Sequence, residues 1–254
     1  MRPFYGRFAW AYDLLVERPV SQECAYVATA LTKHGVAAGA RVLDAGCGTG
    51  RYAAALAGHG YRVTGVDLAP DLVAVARRRG GSARFAVGDL SALPLRAVYG
   101  AALCRGVLND VLDDDVRRAV MRALAGVLTG PGVLVLDVRD WYATVQRKTA
   151  EPVHERTVET ERGTLIFRSE TRLEPATRRL LISERHALVT RSGTESEAYE
   201  FVMRCWTRAE LDASLRQAGL ALVALRGGYD DAVPAGATDR LVAIAARTPG
   251  MLRS

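Results

Sequence analysis

The stretch Arg41-Val42-Leu43-Asp44-Ala45-Gly46-Cys47-Gly48-Thr49-Gly50-Arg51 constrains this chain more than any other. A short apolar run, β-branched in part, ends in an acid, and three glycines follow at alternate positions. The run predicts a buried parallel strand, because it is short and bounded by glycine. The glycines predict the strand-to-helix turn that follows. There the backbone must bend sharply and let a ligand approach closely, and a Cβ would obstruct both.

The spacing separates two kinds of ligand. Dinucleotide sites use G-x-G-x-x-G and seat a pyrophosphate on the helix N-terminus. Here the pattern is D-x-G-x-G-x-G, so the third glycine arrives one residue early. No side chain is supplied to grip a phosphate, and an acid precedes the turn. That favours a ligand whose tail carries an ammonium group. Asp44-Ala45-Gly46-Cys47-Gly48-Thr49-Gly50 closely resembles the first motif of class I S-adenosylmethionine-dependent methyltransferases. The resemblance implies an α/β fold: a Rossmann-like, mostly parallel seven-stranded sheet with an antiparallel final strand and helices on both faces. It also implies S-adenosylmethionine as cofactor, with Asp44, Ala45, Gly46, Gly48 and Gly50 around it.

The downstream signatures follow in order. A second strand, Arg62 to Val66, ends at Asp67 and is followed by Leu68, at the distance a βαβ unit requires. An acid at this point in nucleoside-binding folds accepts from ribose hydroxyls, and a carboxylate has two oxygens to offer them. The plainer reading of Asp67 is a helix cap. A third strand, Ala83 to Val87, leads to Gly88-Asp89-Leu90. This resembles the family's third signature, which implies that Asp89 accepts from the adenine amine and that Leu90 lies beside the ring; otherwise Asp89 is an exposed turn acid.

The fourth strand, Tyr99 to Cys104, runs into Arg105-Gly106-Val107-Leu108-Asn109-Asp110. Ligands of open parallel sheets bind outside the carboxyl ends of the strands. Arg105 therefore joins the cofactor candidates, and Asn109 and Asp110 either meet the substrate, as catalytic candidates, or cap the next helix. The loop lacks the Asn/Asp-Pro-Pro-Tyr/Phe tetrad of adenine-modifying nucleic-acid enzymes, which argues against base flipping. Pro131-Gly132 turns into a fifth strand, Val133 to Val138, with Trp141 and Tyr142 beyond its end. These two aromatics either wall the substrate site or anchor the next segment.

From about residue 153 to 206 helical periodicity gives way to alternation, with strands expected near 155–162, 164–173, 179–190 and 196–206. Nine arginines and ten glutamates between 151 and 205 make this sheet a poor platform for nucleic acid. It is similar to the inserted sheet of the glycine and amino-sugar N-methyltransferases. His186 alternates with its apolar face, as a general base or as a structural histidine. Aromatics crowd the N-terminus (Phe4, Tyr5, Phe8, Trp10, Tyr12), either as a packing stripe or as a lid with Tyr5 or Tyr12 reaching inward. Thr207 and Glu210 form a capping box, Gly219 ends that helix, and strands 221–225 and 241–245 close the sheet before a fraying tail from Thr248. The expected division is a lid at 1–37, a cofactor domain at 38–150 and 207–254, and a substrate cap at 151–206.

Composition narrows the remaining classes. The 254 residues carry a net charge of +6, but the charges are interspersed, and Arg77-Arg78-Arg79 ends a predicted helix, where cations complement the dipole. No apolar run approaches the roughly 18 residues of a membrane span, and no signal-peptide pattern opens the chain, so a cytoplasmic protein without membrane partners is expected. The four cysteines form no C-x-x-C pair and the four histidines no H-x-x-x-H pattern, so no metal is expected. The expected activity is methyl transfer to a small, natural-product-type acceptor, on nitrogen in preference to oxygen, by a monomer or homodimer that binds no nucleic acid. The alternatives are a non-catalytic S-adenosylmethionine-binding protein and a nucleic-acid methyltransferase.

Overall fold

The computed structural model describes residues 5–93 and 99–247; Phe4 and the tail from Thr248 lie outside the described residues. A 3-10 turn at Ala9–Ala11 and two helices, α1 (Tyr12–Leu15) and α2 (Val20–Lys33), open the chain. Then strands and helices alternate: β1 (Arg41–Ala45), α3 (Arg51–Gly58), β2 (Arg62–Asp67), α4 (Pro70–Arg79), β3 (Arg84–Val87), β4 (Tyr99–Arg105), α5 (Asp114–Gly126), β5 (Leu128–Arg139) and α6 (Trp141–Ala150). Four long strands follow: β6 (Val153–Thr160), β7 (Gly163–Glu174), β8 (Arg179–Thr190) and β9 (Gly193–Arg204). The chain closes with α7 (Arg208–Gln217), β10 (Leu220–Arg226) and β11 (Arg240–Arg247).

Seven strands form one sheet in the order β10-β11-β5-β4-β1-β2-β3. β11 runs antiparallel to both of its neighbours, and the other pairings are parallel. The central strands are buried on both faces, as their near-continuous apolar sequences require. One face packs on α5 and α7 through Leu43, Cys104, Leu124, Leu134 and Leu211, the other on α2 and α3 through Val27, Leu31, Val42, Leu56 and Val135. Residues 129–132 do not form the entry turn expected at Pro131-Gly132. They bulge within one long β5, because the β4 ladder pairs Tyr99 with Leu128 and then Ala101 with Val133.

The second sheet is wholly antiparallel, in the order β6-β7-β8-β9. Strand periodicity puts Leu165 and Phe167 on one face, and Phe8, Ala11 and Leu15 of the N-terminal segment pack against them. The same sheet's Leu180 and Ile182 pack on Trp141 of α6. The second sheet is thus tied to the N-terminal segment through one cluster and to α6 through another. Helix α6 itself is absent from the sequence reading. Asp140 caps it by accepting from the Ala143 N–H, a local signal overlooked because β5 immediately precedes it. Among the described residues no helix is long and apolar enough to cross a membrane, and no cluster of three metal-ligating side chains forms.

Candidate active site

β1 delivers the chain to the glycine turn, and the turn folds back over the end of β2. The N–H groups of Gly46 and Cys47 both donate to the Val66 carbonyl, at 2.7 and 3.1 Å. The Gly48 N–H donates to Asp67 Oδ2 at 2.8 Å, and the other carboxylate oxygen accepts from Ala69 N at 2.9 Å. Asp67 is therefore a splint between the turn and the start of α4. Burial raises its pKa, against the opposing pull of these backbone donors.

All three glycines have positive φ, +78° at Gly46, +52° at Gly48 and +76° at Gly50. Two are also forced by contact. A Cβ at Gly46 would lie 2.1 Å from Val107 Cγ2, and one at Gly50 would lie 2.8 Å from the Phe85 ring. A Cβ at Gly48 would meet nothing within 4 Å. The space over Gly48 is open to a ligand, which is what a backbone cradle needs.

That space belongs to a cavity of about 910 Å³. One side of it is bordered by Gly46, Gly48, Asp67, Leu68, Asp89, Leu90 and Arg105, and Asn109, Asp110, Tyr5 and Tyr12 border it from the loop after β4 and the N-terminal segment. Both tyrosines face inward, with ring centroids 6.2 Å apart. Tyr5 Oη donates to Asp110 Oδ2 at 3.4 Å, and burial raises the pKa of Tyr12. Asp89 accepts from Ser91 N and Oγ, both at 2.8 Å, at the exposed rim. Neither Asn109 nor Asp110 caps α5; Asp113 does, accepting from the N–H groups of Asp115 and Val116. Asn109 Oδ1 instead accepts from Arg139 N at 3.0 Å, which ties the loop to the end of β5.

Several candidates do not reach the cavity surface. Asp44 and Ala45 are buried under the turn, because β1 continues beneath it. Asp44 Oδ2 has no hydrogen-bond partner among the described residues, and burial pushes the carboxyl up to about 7. Gly50 presses on Phe85 and Ala76 instead of facing the opening. Trp141 and Tyr142 form the first turn of α6, which carries them away from the site: Trp141 packs under the cap, and Tyr142 is 68% exposed. His186 is fully buried behind the wall, among Phe8, Phe167 and Tyr199.

Two groups were missed by the sequence reading. The first borders the cavity from the cap: Phe167, Glu184, Tyr199, Phe201 and Met203. Tyr199 sits opposite Glu184 across the β8–β9 ladder, donates a hydrogen bond to it, and lies 3.1 Å from His186 Nε2. The signal was strand parity: Ile182, Glu184 and His186 share a face, as do Tyr199, Phe201 and Met203. The second group surrounds Arg105, whose guanidinium stacks on Tyr52 at 3.3 Å, donates to Tyr229 Oη at 2.9 Å and pairs with Glu23 at 3.3 Å. Arg18 bonds the same Glu23, and Asp137 accepts from Tyr229 at 3.1 Å. No local sequence pattern joins residues 18, 23, 105, 137 and 229, which meet only through the sheet.

A family model described as a methyltransferase domain matches residues 42–132. The matched stretch runs from β1 through the start of β5. The chain is 40% identical over 106 residues to the ubiquinone biosynthesis O-methyltransferase of Xanthomonas oryzae pv. oryzae (strain PXO99A), a match covering 39% of this chain and 43% of that protein. The chain spans about half the length of the curated relatives it matches. Solved structures match the whole fold. A Clostridium acetobutylicum S-adenosylmethionine-dependent methyltransferase superposes with TM-score 0.80 at 17% identity, covering 96% of this chain and 98% of that one. An amino pentose methyltransferase of Micromonospora echinaspora, involved in calicheamicin biosynthesis and solved with S-adenosylmethionine bound, gives 0.74 at 26% identity, covering 95% and 97%.

The amino pentose methyltransferase neighbour carries S-adenosylmethionine in its solved structure. The residues present fit it. A Cβ at Gly48 would meet nothing within 4 Å, so the turn is open there, and Asp67 has lone pairs beyond the bonds it accepts from Gly48 and Ala69.

Proposed function

We propose that this chain transfers a methyl group from S-adenosylmethionine to a small-molecule acceptor, on nitrogen in preference to oxygen. The observation that carries this is the single cavity that joins the glycine turn and Asp67 to side chains of the cap. When bound, S-adenosylmethionine supplies an already activated electrophilic methyl group. The protein's work is then to hold, orient and exclude water. Gly46 and Gly48 seat the methionine portion, Asp67 takes the ribose, and Asp89 and Leu90 border the adenine. Arg105, fixed by Tyr52, Glu23 and Tyr229, holds the floor between cofactor and acceptor.

The acceptor lies under the cap. Phe167, Phe201 and Met203 give it an apolar surface, and Asp110 and Glu184 give it two carboxylates. Carboxylates draw an ammonium group, and Glu184 can take the proton an amine must shed before it attacks. In this reading residues 1–37 serve as the lid through Tyr5 and Tyr12, and residues 151–206 select the substrate. The amino pentose methyltransferase neighbour supports an amino-sugar or related natural-product amine.

Oxygen is the second reading, favoured by the Tyr199–Glu184–His186 cluster, which is built to relay a hydroxyl proton. Incubating the protein with S-adenosylmethionine and separate panels of amino sugars, other amines and phenols tests both. Mass spectrometry should find a gain of one methylene in an amine. Turnover of phenols alone would move the assignment to oxygen. Cofactor binding with no turnover in any panel would refute the transferase reading.

A further inference from the structure

A second cavity, about 300 Å³, lies between α5 and α7, across α5 from the site described above. Val116 and Val120 of α5 turn toward the large cavity, whereas Arg117 and Met121 turn toward this one. Arg118, Arg122 and Arg204 also border it, against only two carboxylates, Asp114 and Glu210.

Both carboxylates are already engaged. Asp114 takes Arg204 at 2.5 Å, and Glu210 takes Arg204 at 3.0 Å together with Arg178 and the Thr207 N–H. Arg117 is left with a distant Asp114 at 3.6 Å, the Val111 carbonyl at 3.0 Å from Nε, and the face of Trp206 at 4.4 Å. Arg117 is 6% exposed, and its Nη2 has no hydrogen-bond partner among the described residues. The same holds for Arg204 Nε and for Nε1 of Trp206, which is 2% exposed. Among the described residues Arg122 forms no ion pair, and it faces solvent at the rim.

The unpaired groups here are all donors. A buried donor without an acceptor costs free energy, and three of them belong to residues that border one cavity. Arginine forks match oxyanions bidentately, and an anion here would also offset the charge crowding between Arg117 and Arg204. Burial, with Arg204 beside it, lowers the Arg117 pKa to about 10, as expected of a cation lacking its counter-charge.

We propose that this cavity is a binding site for a small oxyanion, phosphate- or carboxylate-bearing, held by Arg117, Arg204 and the Trp206 N–H. Such an anion would bridge α5, the start of α7 and the end of β9, and so brace the root of the cap. The site is independent of methyl transfer.

Inorganic pyrophosphate and, separately, citrate should be titrated into the full chain at constant ionic strength, reading tryptophan emission and Tm. A saturable emission change and a raised Tm are expected, with half-saturation weakened at least about tenfold in Arg117→Met. A response to pyrophosphate alone assigns phosphate chemistry, and a response to both assigns oxyanions in general. Should Arg117→Met fail to fold, Ala213→Glu carries the test: Ala213 borders the cavity, and a carboxylate there should raise Tm and abolish the response. A non-saturating change, or a saturating one untouched by either variant, would overturn the proposal.

Discussion

Asp67→Ala separates the splinting role the geometry gives this carboxylate from the ribose role proposed for it. Inside the protein it accepts from Gly48 N and Ala69 N at 2.8 and 2.9 Å. Bonds to a charged acceptor contribute about 1.5–3 kcal/mol each, but the turn is half open and water can replace the lost oxygens, so about 2–3 kcal/mol of stability should go in total. The ribose role is additional. Losing one hydroxyl–carboxylate bond costs about 1.5–3 kcal/mol, or roughly a 10- to 150-fold rise in Kd. Asp67→Asn keeps the shape and one acceptor oxygen but aims an NH2 group at a backbone donor, so it should fall between. Calorimetric titration with S-adenosylmethionine reads the affinity, and urea denaturation without cofactor reads the stability. A variant that loses stability yet binds the cofactor as the parent does would refute the ribose role and leave Asp67 only its splinting role.

Gly46→Ala should cost about 2–4 kcal/mol, because its Cβ would strike Val107 at 2.1 Å in a left-handed backbone; adding Val107→Ala should recover part of the loss in Tm, and no recovery would contradict the contact. Glu184→Gln and Tyr199→Phe should lower kcat while cofactor affinity stays within about twofold, and a cofactor Kd that moves with kcat would contradict their acceptor-side placement. Asp44 gives a pH signature. Its folded pKa is raised from 3.8 to about 7, so the folded state holds a proton the unfolded chain releases, and stability falls as pH rises through that window. Asp44→Asn removes the titration, so its stability relative to the parent should rise by about 2–3 kcal/mol between pH 5 and pH 8; a pH-independent difference would refute the shift.

The glycine turn and the acids that follow β2 and β3 were legible because their signals are local. Three glycines and an acid within seven residues fix the turn, and Asp67 and Asp89 each follow a strand that periodicity reveals. The closing strands and the antiparallel sheet were legible for the same reason: alternation and turn residues are short-range signals. Of the two readings of Trp141 and Tyr142, the strand-end rule suggested the wall, but Asp140 starts a helix there and Trp141 packs as an anchor for the second sheet. Arg105 was recognised by its place at a strand end, but its partners Glu23, Tyr52, Asp137 and Tyr229 are drawn from four other segments. Pairing of that kind is a property of the folded sheet and leaves no spacing to read.

The extent of the matches follows from the same physics. The family model stops at residue 132, before α6 and the cap, whereas fold likeness to solved neighbours covers 95% or more of the chain. A cofactor held by main chain needs glycine where a Cβ would collide and an acid where backbone donors converge, so its sequence is pinned at a few sites. The second sheet borders the cavity from alternate positions on strands whose ladder bonds any residue can make. Glu184, Tyr199, Phe201 and Met203 can therefore change with the acceptor while β8 and β9 stay paired. Exchanging those four side chains for the matching positions of the amino pentose methyltransferase should alter acceptor preference and leave S-adenosylmethionine affinity within about threefold. A parallel loss of cofactor binding would show that cap and cradle are one energetic unit.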